Sequence, residues 1–284
     1  MVIKTSDSNL IKKLFNKFIL PQPNSHKGQN GKVLIIGGST LFHAASLWAA
    51  EVCSHFVDMI HYSSTKENEK ILLDLKKVFR NGIIVPQKEI EHYIREDDVV
   101  LIGPGMMRGG EEGKYTYELT KKLMEEFSEK RFIFDAGALQ MMDKEWLLKL
   151  KTPAIITPHQ KEFEKLFGVS MLDKSQGEKE NIVKEIAKKY KTVILLKAIV
   201  DIISDGKIAY IVEGGNAGLT KGGSGDVLAG LAASFYSKNN VLDSALFASV
   251  LLKLTADGLF KRMGYWYNID DIIKELPKTL KKLL

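Results

Sequence analysis

The segment Gly214-Gly215-Asn216-Ala217-Gly218-Leu219-Thr220-Lys221-Gly222-Gly223-Ser224-Gly225-Asp226-Val227-Leu228-Ala229-Gly230 runs a glycine-dense loop straight into an apolar helix, with one carboxylate at the junction. Glycine lets a backbone take positive φ and approach a ligand closely, so successive N–H groups can converge on one anion. The helix that follows carries Val227, Leu228, Leu231, Ala232 and Phe235 at helical spacing and aims its positive dipole end at the same place. A phosphate is the natural guest. Asp226 would lie within reach of whatever group attacks or leaves the phosphorus, so the expected chemistry is an anion hole beside a base. With an ordinary aspartate pKa of about 3.9, that base would be ionised at neutral pH. A plain turn with Ser224 or Asp226 as N-cap would not need three glycines between Gly222 and Gly225. No Gly-x4-Gly-Lys-Ser/Thr occurs, which disfavours a P-loop fold.

Other residues suited to chemistry follow short apolar runs. Gly103-Pro104-Gly105-Met106-Met107-Arg108 fails the dinucleotide pattern Gly-x-Gly-x-x-Gly at Arg108, so close backbone approach to a substrate is the better reading. Thr157-Pro158-His159-Gln160-Lys161-Glu162-Phe163 puts His159 at a helix start and Glu162 one turn in. Both could be ordinary N-terminal residues favoured by the dipole, but the strand-end position points to substrate contact. No second His or Cys stands at metal-ligand spacing from His159, so no transition-metal site is expected. Lys197 could aim its ammonium at a phosphate or stand in water. Asp135 could organise Mg²⁺ through waters, fix loops by hydrogen bonds, or cap a helix.

The elements that must position these residues alternate. Strands are expected at Val33–Ile36, Met59–Tyr62, Ile83–Val85, Val99–Ile102, Phe132–Phe134, Ala154–Ile156 and Val193–Leu196. A hairpin, Ile199–Ile203 and Lys207–Val212 about an Asp-Gly turn, is expected to end the sheet in a mixed or antiparallel edge. Between the strands lie helical patterns at Ala44–Phe56, Glu67–Phe79, Glu111–Phe127, Ala138–Leu150, Gln160–Leu166 and Gly177–Tyr190. Helices alone follow Asp226, at Val227–Ser237, Leu242–Phe260 and Asp270–Leu283. This order predicts an α/β fold with a mostly parallel sheet and helices on both faces. Gly37-Gly38-Ser39, Gly103-Pro104-Gly105, Asp135-Ala136-Gly137 and Thr157-Pro158-His159 all follow strands, where open α/β sheets bind ligands, and so imply one shared cleft.

Composition narrows the classes. The 284 residues are 45% hydrophobic, enough for one large domain, with residues 1–25 read as a helical extension. The net charge of +6 is spread over helix faces such as Lys188-Lys189-Tyr190-Lys191, without the basic-aromatic interleaving of nucleic-acid binders. One cysteine, Cys53, lies in an apolar run and reads as core. It fits a reducing, cytoplasmic setting. No 18-residue apolar run indicates a membrane span.

Taken in order, these segments resemble the ADP/ATP-dependent NAD(P)H-hydrate dehydratase family, a branch of the ribokinase-like superfamily. His26-Lys27-Gly28-Gln29-Asn30-Gly31-Lys32-Val33-Leu34-Ile35-Ile36-Gly37-Gly38-Ser39 is similar to its opening strand signature, and Gly103-Pro104-Gly105 to its Gly-Pro-Gly loop. Asp135-Ala136-Gly137-Ala138-Leu139 resembles its Asp-Ala-Asp-Ala-Leu, and Thr157-Pro158-His159 with Glu162-Phe163 its Thr-Pro-His-x-x-Glu-Phe. Asn216 to Leu228 is close to its Gly-Asn-Pro-Gly-Met-Ala-Thr-Gly-Gly-Ser-Gly-Asp-Val-Leu.

The resemblance implies a three-layer α/β/α ribokinase-like fold and a repair reaction. ADP or ATP, with Mg²⁺, phosphorylates the hydroxyl of hydrated NADH or NADPH, and phosphate then leaves. It implies Asp226 as base and the Gly222–Gly225 amides as anion hole. Nucleotide contacts map to Lys197, Asn216, Ala217, Gly218, Leu219, Thr220, Lys221, Gly222, Gly223, Ser224 and Gly225. Hydrate contacts map to Ala44, Gly105, His159 and Asp226, with Glu162 beside them. Lys197 and Lys221 would offset the phosphates. The resemblance also implies a homo-oligomer. The epimerase domain fused to some relatives is not expected, since the residues before His26 are too few to form it. The chain departs from the family pattern at Ala198 and Asp201, where Gly and Thr are usual. It departs again at Met107, Gly137 and Lys161, and a changed function is to be sought at Ala198, Met107 and Lys161. A small-molecule alcohol kinase and a catalytically impaired nucleotide-binding protein are the alternatives.

Overall fold

Val33 and Ile35 face one side of their strand, Leu34 and Ile36 the other, and all four are buried, which requires a sheet covered on both faces. The computed structural model, covering residues 1–284, has one ten-stranded sheet between two helical layers. The strands are β1 (Val2–Lys4), β2 (Lys32–Ile36), β3 (Met59–Ser63), β4 (Gly82–Ile84), β5 (Val99–Ile102), β6 (Arg131–Phe134), β7 (Ile155–Ile156), β8 (Val193–Leu196), β9 (Asp201–Ser204) and β10 (Ala209–Glu213). Their order is β1-β10-β9-β8-β7-β6-β5-β2-β3-β4, and only β9 runs against the rest.

The helices are α1 (Ser8–Phe15), α2 (Ala44–Cys53), α3 (Lys66–Leu75), α4 (Ile90–Glu96), α5 (Gly110–Glu126), α6 (Ala136–Met141), α7 (Gln160–Phe167), α8 (Gln176–Tyr190), α9 (Ser224–Tyr236), α10 (Val241–Met263) and α11 (Ile269–Leu283). One core unites one sheet face with α1, α2, α9, α10 and α11. The other unites the opposite face with α4 to α8. The mostly parallel, three-layer α/β/α expectation holds. The chain winds outward from β2 to β4 and then in the other direction from β5 to β8, so the strand order switches between β2 and β5. A crevice at the strand C-terminal ends belongs there.

Helices α2 and α9 meet at Gly230, where a Cβ would come within 2.4 Å of Val52 Cγ1. That close crossing lets both helices begin at the crevice. Cys53 is part of the same contact, as expected of a core residue. Its Sγ donates to the Gly230 carbonyl at 3.2 Å, and burial pushes the thiol up to about 12.

Several expectations are corrected. The N-terminal segment is not simply helical: Val2–Lys4 forms β1, parallel to β10, so the hairpin does not end the sheet. Three residues carry too little periodicity to announce a strand. The hairpin turn spans Asp205–Ile208 rather than two residues, because Asp205 Oδ1 accepts from the N–H groups of Lys207 and Ile208. The helix expected over Ala138–Leu150 breaks at Met142 and Asp143. The Asp143 carboxylate caps Glu145 N at 3.0 Å and starts a separate 3₁₀ turn, Lys144–Lys149. Ile199 and Val200 lie outside β9, and α4 had no expected counterpart.

Candidate active site

Five strand-end loops interlock into one ridge. Gly38 N donates to the Pro104 carbonyl at 2.7 Å. A Cβ on Gly103, at φ +123°, would fall 1.8 Å from the Asp135 carbonyl oxygen, so only glycine fits. Thr157 Oγ1 donates to Asp135 Oδ1 at 2.8 Å, and Lys197 N to the Pro158 carbonyl at 2.8 Å. Lys197 Nζ then lies 3.3 Å from where Gly225 would carry a Cβ. The loops expected to share a cleft form one packed cluster at the C-terminal ends of the strands.

The Gly222–Asp226 turn is its centre. Gly223 caps α9 at φ +104°, which places Asp226 in the first helical turn. The N–H groups of Gly222, Gly223 and Gly225 donate to no group of the protein. Nothing lies within 4 Å of the Cβ position of Gly222. Three unpartnered amides, an open side and a helix N-terminus make an anion cradle. Ser224 Oγ is turned away, donating to the Leu219 carbonyl at 2.7 Å.

Asp135 occupies the N-cap position of α6 but makes no capping bond. Its Oδ1 accepts instead from Lys197 Nζ at 2.7 Å. Lys197 is therefore not a strand-end lysine in water. Burial works against its ammonium, but Asp135, Glu162 and Asp226 outweigh burial and hold its pKa above the usual lysine value.

The expectation of an ordinary, fully ionised Asp226 is overturned. Burial first, and then the Asp135 charge, push it up to about 7, against the opposing pull of Lys197 and its own backbone N–H. Asp135, Glu162 and Asp226 thus face one lysine, leaving the cleft short of positive charge. Mg²⁺ is ordinarily held by one or two carboxylates plus phosphate oxygens and water, so Asp135 would fit as its protein contact, through water, beside a bound phosphate. When bound there, the ion would neutralise charge on the phosphoryl oxygens.

On one side of the turn, Ala44 is exposed at the first turn of α2. Gly105, at φ +71°, has no room for a side chain between the Phe42 carbonyl and Ala45. His159 and Glu162 form a capping box. His159 Nδ1 accepts from the N–H groups of Lys161 and Glu162, and Glu162 Oε2 accepts from His159 N at 2.9 Å. With Nδ1 accepting, the ring proton is left on Nε2, which lies 3.6 Å from Glu162 Oε1. Buried Glu162 also accepts from Gln140 Nε2 at 3.0 Å, so its first job is to hold α7 in place.

On the other side, Asn216 Oδ1 accepts from Gly218 N at 3.0 Å and from the Tyr267 hydroxyl at 2.6 Å. Its Nδ2 donates to the Ala256 carbonyl at 2.9 Å. Ala217–Thr220 is a 3₁₀ turn closed by Thr220 Oγ1 on the Ala217 carbonyl at 2.8 Å, and Gly218 is held against the Tyr267 ring. Lys221 Nζ donates to the Tyr265 carbonyl and lies 5.0 Å over the Tyr267 ring, not over the anion cradle. The anchors, Tyr267 in the loop between α10 and α11 and Asp257 in α10, whose Oδ2 accepts from Gly215 N, carried no sequence signal for this role.

Two departures from the family pattern have structural reasons. Asp201 is turned inward, accepting from Ala198 N at 2.9 Å and Ser249 Oγ at 2.7 Å, with Lys253 Nζ 3.5 Å away. A Cβ on Gly137 would already lie 2.2 Å from the Met106 carbonyl oxygen, so a second aspartate has no room. Met107 contributes its carbonyl to Thr116 Oγ1 at 2.8 Å.

The layered sheet, with α9 opening at the glycine turn, has a ribokinase-like fold. The chain superposes on a ribokinase-like superfamily protein from Enterococcus faecalis with a TM-score of 0.82, at 21% identity over 99% of this chain and 96% of that one. Residues 33–278 match the NAD(P)H-hydrate dehydratase family, and the chain belongs to it. It is 34% identical over 266 residues to a bifunctional NAD(P)H-hydrate repair enzyme of Methanocaldococcus jannaschii, covering 91% of this chain but 50% of that protein. It is 30% identical to an ADP-dependent (S)-NAD(P)H-hydrate dehydratase of Nitrosopumilus maritimus, covering 99% of this chain and 98% of that one. The chain thus spans about half the length of the bifunctional relative and nearly all of the single-function one. The Bacillus subtilis ADP/ATP-dependent NAD(P)H-hydrate dehydratase co-crystallised with ATP and Mg²⁺ shares the fold, with a TM-score of 0.79 at 21% identity over 98% and 97% of the two chains.

Proposed function

We propose that the protein restores NADH or NADPH from their hydrated forms, using ADP or ATP with Mg²⁺. The observation that carries this reading is Asp226 beside three amides that no protein group uses. The hydrate hydroxyl attacks the terminal phosphorus, the phosphoanhydride bond breaks, and Asp226 takes the hydroxyl proton. The amides of Gly222, Gly223 and Gly225 stabilise the charge on the transferring group. In the second stage the C–O bond breaks with its electron pair going to the departing phosphate. A neighbouring ring carbon then loses a proton, restoring the dihydronicotinamide double bond. His159, Gly105 and Ala44 hold the hydrate, while Lys197 and the Asn216–Gly225 segment hold the nucleotide.

Residues 1–284 act as one unit in this reading, because β1 and Thr5 brace the catalytic loop directly. Thr5 Oγ1 donates to Asp257 at 2.7 Å, and the same carboxylate accepts from Gly215 N at 3.2 Å. No helix is long and apolar enough to cross a membrane. A cytoplasmic setting and a homo-oligomeric state complete the proposal, the latter read by sedimentation of the purified protein.

The test is to incubate the protein with chemically hydrated NADH or NADPH, Mg²⁺ and either nucleotide, and to follow dihydronicotinamide absorbance. Absorbance returns if the reading is right. No return with either nucleotide overturns it, and a stable phosphorylated hydrate would instead make the protein a kinase.

A further inference from the structure

Lys253 of α10 is only 4% exposed, and a lysine is almost never buried this far without partners. Its Nζ lies 2.9 Å from the Ile199 carbonyl, 3.4 Å from that of Gly214 and 3.5 Å from that of Ala198, with Asp201 Oδ1 at 3.5 Å. Four oxygens thus surround three N–H protons. The ammonium serves less as a directional donor than as a compact positive charge shared among them.

These oxygens come from two separate parts of the chain. Ala198 and Ile199 follow β8 and Lys197, and Asp201 opens β9, whereas Gly214 follows β10 and leads into the Asn216–Gly225 segment. Lys197 and Asn216–Gly225 are the stretches that hold the nucleotide in the proposed reaction. No backbone–backbone hydrogen bond reaches Ala198, Ile199 or Val200. Their loop also walls a cavity of about 880 Å³ that Lys161 and Lys197 share. What holds the loop is Asp201, accepting from Ala198 N at 2.9 Å, together with Lys253.

The same lysine supports the catalytic loop from below. A Cβ on Gly215 would stand 3.2 Å from Lys253 Cγ, and Asp257, one turn further along α10, accepts from Gly215 N at 3.2 Å. Of these two α10 residues, Lys253 also reaches the loop after β8. The family-pattern departure at Asp201, which the transfer chemistry does not use, supplies the counter-charge that lets a cation stay buried here.

We propose that Lys253 is a positioning residue for the donor nucleotide, its ammonium acting as a tethered cation that locks the Ala198–Ile199 loop to Gly214 and so fixes both nucleotide-binding stretches in one geometry. The proposal rests on the nucleotide reading of those stretches and adds what keeps them in register. Because the protons of Lys253 are taken up by protein oxygens, its loss should weaken nucleotide binding and leave binding of the hydrate alone.

The experiment uses the full chain as wild type, as Lys253→Ala and as Lys253→Met/Asp201→Asn. ADP is titrated into each by calorimetry, and each turns over the hydrate of NADH. The first variant leaves Asp201 and three carbonyls without their cation, and the second removes both charges as a pair. The expected result is ADP affinity weakened about tenfold or more in both, with a matching rise in the KM for ADP and an unchanged KM for the hydrate. Propylammonium replaces the missing part of the lysine side chain. At constant ionic strength it should restore ADP binding to Lys253→Ala, with no effect on wild type or the double variant. Where Lys253→Ala does not fold, the charge-balanced double variant decides. Wild-type ADP affinity in the double variant overturns the proposal, as does an equal rise in both KM values or a loss in Lys253→Ala that propylammonium leaves unchanged. If not even the wild type turns over the hydrate but ADP binding depends on Lys253, the dehydratase reading falls and the assignment of Lys253 stands.

Discussion

Gly223 lies flat against the ring of Trp48: a Cβ on Gly223 would stand 2.7 Å from both Cε3 and Cζ3 of the indole. The residue that turns the chain into α9 is thus packed against α2.

Gly223→Ala should therefore fail twice. Alanine at a left-handed φ costs about 1–2 kcal/mol in backbone strain, and the methyl must displace Trp48 or Ile269. The expected outcome is a lowered thermal midpoint and a kcat reduced by about 10²–10³-fold, the effect of a misplaced anion-hole donor. Adding Trp48→Ala should recover little turnover, because the φ strain remains. Full recovery would show that the ring contact alone sets the turn.

Asp226→Asn should lower kcat by about 10²–10⁴-fold with nucleotide binding retained. Because Asp226 is held at about 7, wild-type kcat/KM should rise with pH through that region and level off above it. Stability runs in the opposite sense. The native state holds the proton more tightly than the unfolded chain, so wild-type stability falls as pH rises from about 4 toward 7. Thermal denaturation of Asp226→Asn should show a gain over wild type at pH 8 that vanishes at pH 4.

Lys197 and Asp135 pull the Asp226 proton in opposite directions. Lys197→Met should move the alkaline-rising limb of the pH–rate profile to higher pH, and Asp135→Asn should move it to lower pH. Shifts of the same sign in both variants would refute the electrostatic account of this cluster.

Lys253 and Asp201 form a buried pair that braces the loop after β8, with Lys253 Nζ also donating to the Ile199 carbonyl at 2.9 Å. Lys253→Met leaves Asp201 uncompensated and should cost about 3–5 kcal/mol in denaturant unfolding. The double variant Lys253→Met/Asp201→Asn should recover much of that loss, which a purely steric role for the lysine would not allow.

Local pattern was enough for much of the fold. Short continuous apolar runs located β2, β5, β6 and β8 within a residue, because strands buried on both faces carry apolar side chains at every position. The Gly222–Asp226 turn was legible for the same reason: its function depends on residues adjacent in the chain. Where the pattern was short or a polar side chain intervened, it failed. Three residues did not mark β1, and one capping carboxylate, Asp143, split an expected helix.

The amino-acid sequence by itself determined the layered α/β architecture, the family, and the position of an anion-binding turn with its carboxylate. Only the tertiary structure decided the state of that carboxylate, since its pKa depends on its burial and on Asp135, Lys197 and Glu162, brought in from three other parts of the chain. It also turned Lys221 toward Tyr265, drew Asp201 inward to Lys253, and opened the cavity beside Lys161. These features depend on distances between residues tens of positions apart, and burial and charge act through space rather than along the chain.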